Sequence, residues 1–362
     1  MYLLIWFVVL VMVLLAFERF YLRGKSFGDY PPPAVADAIT SFGRADDPGP
    51  EHLEVVRTVK ALSREISTYV GEHNLRAARE TINSLSDARD YVSTFSPADA
   101  GGVAAEWVVA PGADNSRRVL YVHGGGFIMG SPKSHRTITS KFSEVCGCAV
   151  LAIDYRLMPE NSHMDGFEDC RNAYHWLLEN GPDGPAAIQH LIIAGDSAGG
   201  NLTLALAAWV RDKRMRTPDA IVALSPLTDL TFSGASIRGN EATDIMLKPI
   251  MRPLNLLPPF MKSWWVVWTH RMRPCNPIAS PLLGDLSDLP PTLVQVSEAE
   301  MLLDDARRYV YKAHAAGSSV KLQSWPDMVH VWQIFDPLLP QAVEAWTQIG
   351  KFIQTQTRQQ EP

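Results

Sequence analysis

The run Ala194-Gly195-Asp196-Ser197-Ala198-Gly199-Gly200 sets a serine at the centre of a Gly-x-Ser-x-Gly pentapeptide. Residues 191–193 before it are Leu-Ile-Ile, the texture of a short buried strand, and residues 202–210 after it read as a helix. A strand, a sharp turn and a helix are what such a serine needs: the turn strains its backbone and lifts its hydroxyl clear of the sheet as a nucleophile. An ordinary Gly-rich turn looks the same locally, so the pentapeptide needs company. It has company in His123-Gly124-Gly125-Gly126-Phe127, which follows the apolar run at 119–122. Consecutive glycines let backbone N–H groups point at one spot, and with the N–H of Ala198 they would hold a developing oxyanion.

A base must take the proton of Ser197. Of the ten histidines, His330 lies in Asp327-Met328-Val329-His330, beyond the last expected strand and just before the final helix. Nucleophile, acid, then histidine is the chain order of the α/β-hydrolases, so His330 is the expected base. His123 precedes the glycines and is expected to brace their loop through its ring nitrogens. Three carboxylates compete for the orienting acid: Glu298, Glu300 and Asp304. The acid must lie just past the C-terminal end of a strand, here residues 292–296, and Leu302 opens a helical pattern. Asp304 and Asp305 then fall in the first turn of a helix, where the dipole favours carboxylates without any catalytic role.

The elements that must position these groups follow the same alternation. After Gly101-Gly102, strands are expected at 105–109, 118–122, 149–155, 191–194, 221–224, 292–296 and 320–325, with helices at 134–146, 167–180, 200–212, 302–316 and 337–356. This is an α/β pattern, a mostly parallel sheet covered by helices on both faces. Between about 229 and 291 the alternation stops in an insertion rich in Pro and Trp, a candidate cap. Its Trp264, Trp265 and Trp268, with Phe260 and Met261, are expected to form the packed face of a cap helix, the alternatives being an acyl-pocket wall or a membrane-touching rim.

Residues 1–17 are uncharged and almost wholly apolar, and Glu18, Arg19, Arg23 and Lys25 follow. As a helix they span about 26 Å at 1.5 Å per residue, and Phe20, Tyr21 and Leu22 extend the span if Arg19 snorkels. A cleaved signal peptide would carry basic residues before the apolar run and small residues at a cleavage site after it, and this run has neither. An uncleaved anchor over 1–22 is expected, with the cations after it placing the rest of the chain in the cytoplasm. Residues 23–50 read as a Pro-rich linker, 51–100 as an N-terminal helical cap with Leu53, Val56, Leu62, Ile66 and Tyr69 on one face, and 101–362 as the catalytic domain.

Composition narrows the function classes. The chain has 362 residues, 46% hydrophobic and 20% charged, and a formal net charge of -6 without a Lys/Arg stripe, which argues against a nucleic-acid partner. Four cysteines are too few and too irregular for a disulfide framework and read as packing residues.

Taken together, His123-Gly124-Gly125-Gly126, Asp154-Tyr155-Arg156-Leu157-Met158-Pro159-Glu160, Gly195-Asp196-Ser197-Ala198-Gly199-Gly200 and Met328-Val329-His330 resemble the hormone-sensitive-lipase-like esterases, bacterial family IV, over about residues 103–352. The resemblance implies an α/β-hydrolase fold with a helical cap and a serine carboxylesterase acting on short- to medium-chain esters. It implies Gly125, Gly126 and Ala198 as oxyanion donors, Glu300 as the acid, and an ionic link between Arg156 and Glu160. The chain departs from the family at Ser162-His163-Met164-Asp165-Gly166, where proline and alanine are usual, and at Glu300, where aspartate is usual. No cofactor or metal is called for, and the expected partners are a small ester, of lipophilic kind given the anchor, and the membrane. An amidase or deacetylase would use the same machinery. A non-catalytic receptor of this fold would be expected to lack the base, and His330 is present.

Overall fold

The computed structural model describes residues 2–24, 30–34, 38–43, 49–87 and 89–358. Lys25 and Asp46-Asp47-Pro48 of the expected linker lie outside the described residues. Among the described residues the strands are β1 (Ile39–Ser41), β2 (Thr94–Asp99), β3 (Ala104–Val109), β4 (Asp114–Val122), β5 (Cys148–Ile153), the two-residue β6 (Asn180–Gly181) and β7 (Gly184–Pro185), β8 (His190–Asp196), β9 (Ala220–Leu224), β10 (Thr292–Ser297) and β11 (Val320–Trp325). All but β6 and β7, which pair with each other, form one sheet in the order β1-β11-β10-β9-β8-β4-β5-β3-β2. Pairing is parallel from β1 to β5, while β3 runs antiparallel to both its neighbours. Every residue of β5, β9 and β10 is buried. That is why β5 and β9 read as unbroken apolar runs: helices cover both sides of them, and in β10 the one interior polar residue, Gln295, is buried with hydrogen-bond partners.

The N-terminal helix α1 (Tyr2–Phe17) runs on through a wider π-type turn at Glu18–Leu22. The stretch Leu4–Leu22, 19 residues, is long and apolar enough to cross a membrane. Helices α2 (Gly49–Gly71) and α3 (Leu75–Ser84) follow. The buried stripe of α2 is His52, Val55, Val59, Ser63 and Ile66, one step round from the expected one, and Leu53 is 49% exposed. Two contacts turn the helix. Val55 and Val59 pack on Trp325 at the end of β11 and on Met328 and Trp332 beyond it, and the Ser63 hydroxyl donates to the Met246 carbonyl at 2.6 Å. Apolar periodicity passes over a serine that is buried because it is hydrogen-bonded.

Side chains alternate across the sheet, so neighbours on one strand serve opposite layers. On one face, Ile138 and Phe142 of α4 (Arg136–Cys146) and Trp346 and Ile349 of α11 (Pro340–Arg358) pack on Val119, Tyr121 and Val150. On the other, Phe167 and Tyr174 of α5 (His163–Glu179), Leu202 of α6 (Ser197–Asp212) and Tyr309 of α10 (Leu303–Ala315) pack on Leu120, Leu151 and Ile193. The Ser162 departure proves to be a helix start: Ser162 and Asp165 form a reciprocal capping box at the head of α5.

The insertion carries α7 (Ser236–Gly239), α8 (Lys248–Asn255) and α9 (Pro259–His270). The tryptophans of α9 are not its packed face. Its buried residues are Lys262, Ser263, Val266 and His270, while Trp264 and Trp265 are each 39% exposed and Trp268 is 80% exposed. The Arg156–Glu160 link is also absent. Arg156 pairs with Asp169 on α5 at 2.7 Å, and Glu160 turns outward to Arg79 of α3 at 2.9 Å. A buried carboxylate left alone costs more than an exposed one, and Asp169 is the buried one.

Candidate active site

In a parallel sheet the C-terminal ends of neighbouring strands open on one edge, and here β8, β9, β10 and β11 lie side by side. Ser197 is the residue after β8, Ser225 follows β9, Glu300 lies in the turn after β10 and His330 in the loop after β11. Four distant parts of the chain therefore meet at one edge, with adjacent strands about 4.8 Å apart.

Ser197 has φ +52, left-handed for a non-glycine residue. Such strain persists only where the surroundings enforce it, at roughly 1–3 kcal/mol. The enforcement is visible at Gly199, where a Cβ would lie 2.0 Å from the Val122 carbonyl oxygen and 2.4 Å from that of His123. Only glycine lets α6 start that close to the end of β4.

The glycine loop is tied to this turn by Asp196, which sequence reasoning passed over. Its Oδ1 accepts from the Tyr121 hydroxyl at 2.6 Å and from the Gly124 N–H at 3.0 Å, and its Oδ2 lies 3.4 Å from His135 Nε2. Burial alone would raise the Asp196 carboxyl, but His135, aided by Tyr121, holds it below the usual carboxylate range. With the Gly124 N–H committed, Gly125 and Gly126 follow it at φ +114 and +63, and Ala198 stands in the first turn of α6, where N–H groups have no intrahelical partner. His123 braces the loop as expected: Nδ1 lies 2.8 Å from the Gly124 carbonyl and the ring stacks on Tyr155 at 4.4 Å. Burial, with His135 nearby, lowers its pKa to about 3, so it is neutral and poorly suited to proton transfer at pH 7. Replacing Asp196 with alanine orphans two buried donors. It is expected to lower stability by about 2–4 kcal/mol, read as a drop in the urea midpoint.

His330 Nδ1 lies 2.7 Å from Glu300 Oε2, with both residues buried. The other Glu300 oxygen accepts from the Ser225 hydroxyl at 2.7 Å and the Ser297 N–H at 2.8 Å. Asn240 donates to the Glu298 and Glu300 carbonyls, and Asp244 accepts from the Met301 N–H, so the insertion grips the acid loop. The signal for Ser225 was its place directly after a strand. Asn240 and Asp244 gave none, being local to a segment without periodicity. Burial of the imidazole lowers the His330 pKa, but the Glu300 carboxylate, joined by Asp244, outweighs it and the net shift is upward from 6.5. His330 Nε2 is buried and makes no hydrogen bond among the described residues. A ring anchored on one nitrogen and unbonded on the other is poised to exchange a proton there.

The competing carboxylates are occupied elsewhere. Glu298 accepts from Ser41 and Ser324 at 2.9 and 2.8 Å, and so holds β1 on the sheet edge. Asp304 accepts from the Ser236 N–H, and Asp305 from Thr228 and Asp229. A cavity of about 520 Å³ lies behind the acid and histidine loops, lined by His52, Val56, Thr243, Ala299 and Met328 among others. Neither Ser197 nor Gly124, Gly125 or Gly126 lines it, so it is not where an ester would be attacked.

The α/β-hydrolase-fold family signature matches residues 119–334. The chain is 39% identical over 259 residues to an acetyl-hydrolase of Streptomyces hygroscopicus, covering 71% of this chain and 81% of that one. It is 38% identical over 257 residues to the carboxylesterase/phospholipase LipF of Mycobacterium tuberculosis, covering 70% and 67%. Among solved structures, an esterase of the bacterial hormone-sensitive lipase family superposes with a TM-score of 0.75 at 34% identity, over 85% of this chain and 99% of that one.

Proposed function

Because this chain belongs to the hormone-sensitive-lipase-like family of α/β-hydrolases and is a carboxylesterase, we propose that it cleaves esters through an acyl-enzyme on Ser197, with His330 as base and Glu300 as orienting acid. Ser197 Oγ attacks the ester carbonyl carbon while His330 Nε2 takes its proton. As the C=O π bond opens, the carbonyl oxygen becomes an oxyanion and is held by the N–H groups of Gly125, Gly126 and Ala198. Glu300 keeps the other imidazole proton on Nδ1 and stabilises the imidazolium. His330 then returns the proton to the leaving alkoxide, the C–O bond breaks, and a water activated by the same nitrogen frees the acid from Ser197. The observation that carries this reading is the 2.7 Å contact between His330 and Glu300, with Nε2 left unbonded at the sheet edge where Ser197 follows β8. Short- to medium-chain lipophilic esters are the proposed substrates. Matched ester and amide rates across acyl lengths test it: rates on the amide equal to or above those on the ester would replace esterase by amidase.

The stretch Leu4–Leu22 acts as an uncleaved anchor, with Arg19, Arg23 and Lys25 keeping the catalytic domain, residues 101–362, on the cytoplasmic side. Helices α2 and α3 and the insertion then form the cap; Thr94–Asp99 of the expected cap and Ile39–Ser41 of the expected linker belong to the central sheet as β2 and β1. Because residues 18–24 pack on the insertion, the informative truncation removes residues 1–16 only. The full chain is expected to stay in the pellet after alkaline carbonate extraction. The truncated chain should be released with turnover of p-nitrophenyl acetate within about twofold of the parent, since no residue of the site is lost. Cysteine labelling in sealed vesicles reads the sidedness.

A further inference from the structure

Helix α9 has two unlike faces. At about 100° per residue, Phe260, Met261, Trp264, Trp265 and Trp268 fall within an arc of about 140°, and all are between 39% and 80% exposed. Lys262, Ser263, Val266 and His270 occupy the opposite side and are buried. Just before α9, Leu256 is 79% exposed. Three indoles on the outside of a cap helix are unusual for a surface facing only water.

The end of the apolar N-terminal helix is fastened to this helix. The Ser263 hydroxyl donates to Glu18 at 2.6 Å, and Glu18, 2% exposed, also pairs with Arg23 at 2.6 Å. Phe17 stacks on Trp264 with ring centroids 6.1 Å apart. The Cys275 N–H donates to the Leu22 carbonyl at 3.1 Å, and the Arg273 guanidinium sits 4.5 Å over the Tyr21 ring. The place where the span ends and the place where α9 exposes its indoles are thus at one level. Aromatic rings with neighbouring cations are what occupies the headgroup level of a bilayer.

On its inner side α9 reaches the glycine loop. His270 Nδ1 lies 3.0 Å from His163 Nδ1, and both rings pack on Phe127, the residue after Gly126, at centroid distances of 5.4 and 4.5 Å. One layer of side chains separates the exposed face from the loop proposed to hold the oxyanion.

We propose that the outer face of α9 is a membrane-docking surface, immersed in the interfacial layer of the bilayer that α1 enters, so that the site draws its esters from lipid. This rests on the anchor reading above, and extends it: a tether alone would let the domain tumble, whereas this contact fixes the cap against the membrane. Lipid is favoured over a protein partner by the continuity of the stripe with the apolar span.

The test uses the full-length chain in phosphatidylcholine vesicles. An environment-sensitive NBD fluorophore is placed on Trp268→Cys in a Cys275→Ser background, and for control on Asp183→Cys, in the exposed β6–β7 turn that precedes the start of β8. The label at 268 should emit to the blue and be quenched by lipids carrying a nitroxide near the headgroup; the label at 183 should do neither. In parallel, the combined Met261→Gln, Trp264→Gln, Trp268→Gln variant should stay in the pellet after carbonate extraction and keep its turnover of p-nitrophenyl acetate. It should lose about tenfold in kcat/KM on p-nitrophenyl decanoate, a medium-chain ester dissolved in the vesicles. If the chain stays anchored but position 268 reports water, or if both activities fall together or neither falls, the docking surface is refuted and the anchor stands. If the parent ignores p-nitrophenyl decanoate in vesicles while turning over p-nitrophenyl acetate, substrate is not drawn from lipid. A blue shift that grows with protein density and ignores the lipid nitroxide assigns the face to a second copy and overturns the proposal. If the full chain is released by carbonate, the anchor reading fails, and the proposal with it.

Discussion

Replacing Ser197 with alanine should lower kcat on p-nitrophenyl butyrate by about 10⁵–10⁶-fold while leaving the folded state intact. Without the nucleophile only the oxyanion donors and binding remain, and these are worth about 10³–10⁴ over water in enzymes of this mechanism. His330→Gln should lose about as much. The double variant should lose little more than either single one, because nucleophile and base act as a unit. The parent should show an acid limb in kcat/KM set by His330. Its pKa is raised from 6.5 because the facing Glu300 carboxylate, aided by Asp244, outweighs burial. The imidazole must be neutral to act as base, so activity rises with pH through that raised value, and the limb lies above 6.5. A Ser197→Ala protein that still turned over the ester near the parent rate would falsify the acyl-enzyme, and a flat profile through pH 6–8 would remove His330 from its role.

Glu300→Gln should lower kcat by about 10³–10⁴-fold. The amide can still accept from Ser225 and the Ser297 N–H. It would then present its NH₂ to His330 Nδ1, favouring the tautomer with the proton on Nε2, the nitrogen that must be empty to accept one. Loss of the facing charge should also move the acid limb to lower pH, which distinguishes an orienting acid from a merely structural buried carboxylate. Asp304→Asn and Glu298→Gln should each cost less than about tenfold, since their partners lie on Ser236 and on Ser41 and Ser324. If Asp304→Asn proved the more damaging, the acid would lie four residues further along.

The truncation and the α9 variant address different links of the same chain. One asks whether the protein is held at a membrane, the other how it is turned towards it. The Asp196→Ala variant probes the floor of the site, where one carboxylate holds Tyr121 and the glycine loop in place.

What the sequence determined by itself is what depends on residues close together in the chain. The turn around Ser197 was legible because its glycines and its flanking apolar runs are local, and β5, β9 and residues 191–194 of β8 because strands buried on both faces are continuous apolar runs. The candidate acid could be narrowed by the rule that it follows a strand, and the family resemblance then picked Glu300 from three carboxylates. Tertiary structure decided whatever depends on partners distant in the chain. The edge strands β1 and β2 carry no apolar run, since β1 is held by Glu298 and β2 is mostly exposed. Arg156 took Asp169 in place of Glu160 because α5 brings a buried carboxylate beneath it. The stripe of α2 turned by one step because Ser63 found a carbonyl 183 residues away. The tryptophans of α9 face outward because the opposite side of that helix is occupied by Glu18 on Ser263 and by His163 on His270. Spacing along a helix says which side chains share a face; only the neighbours that fold against it say whether that face is inside.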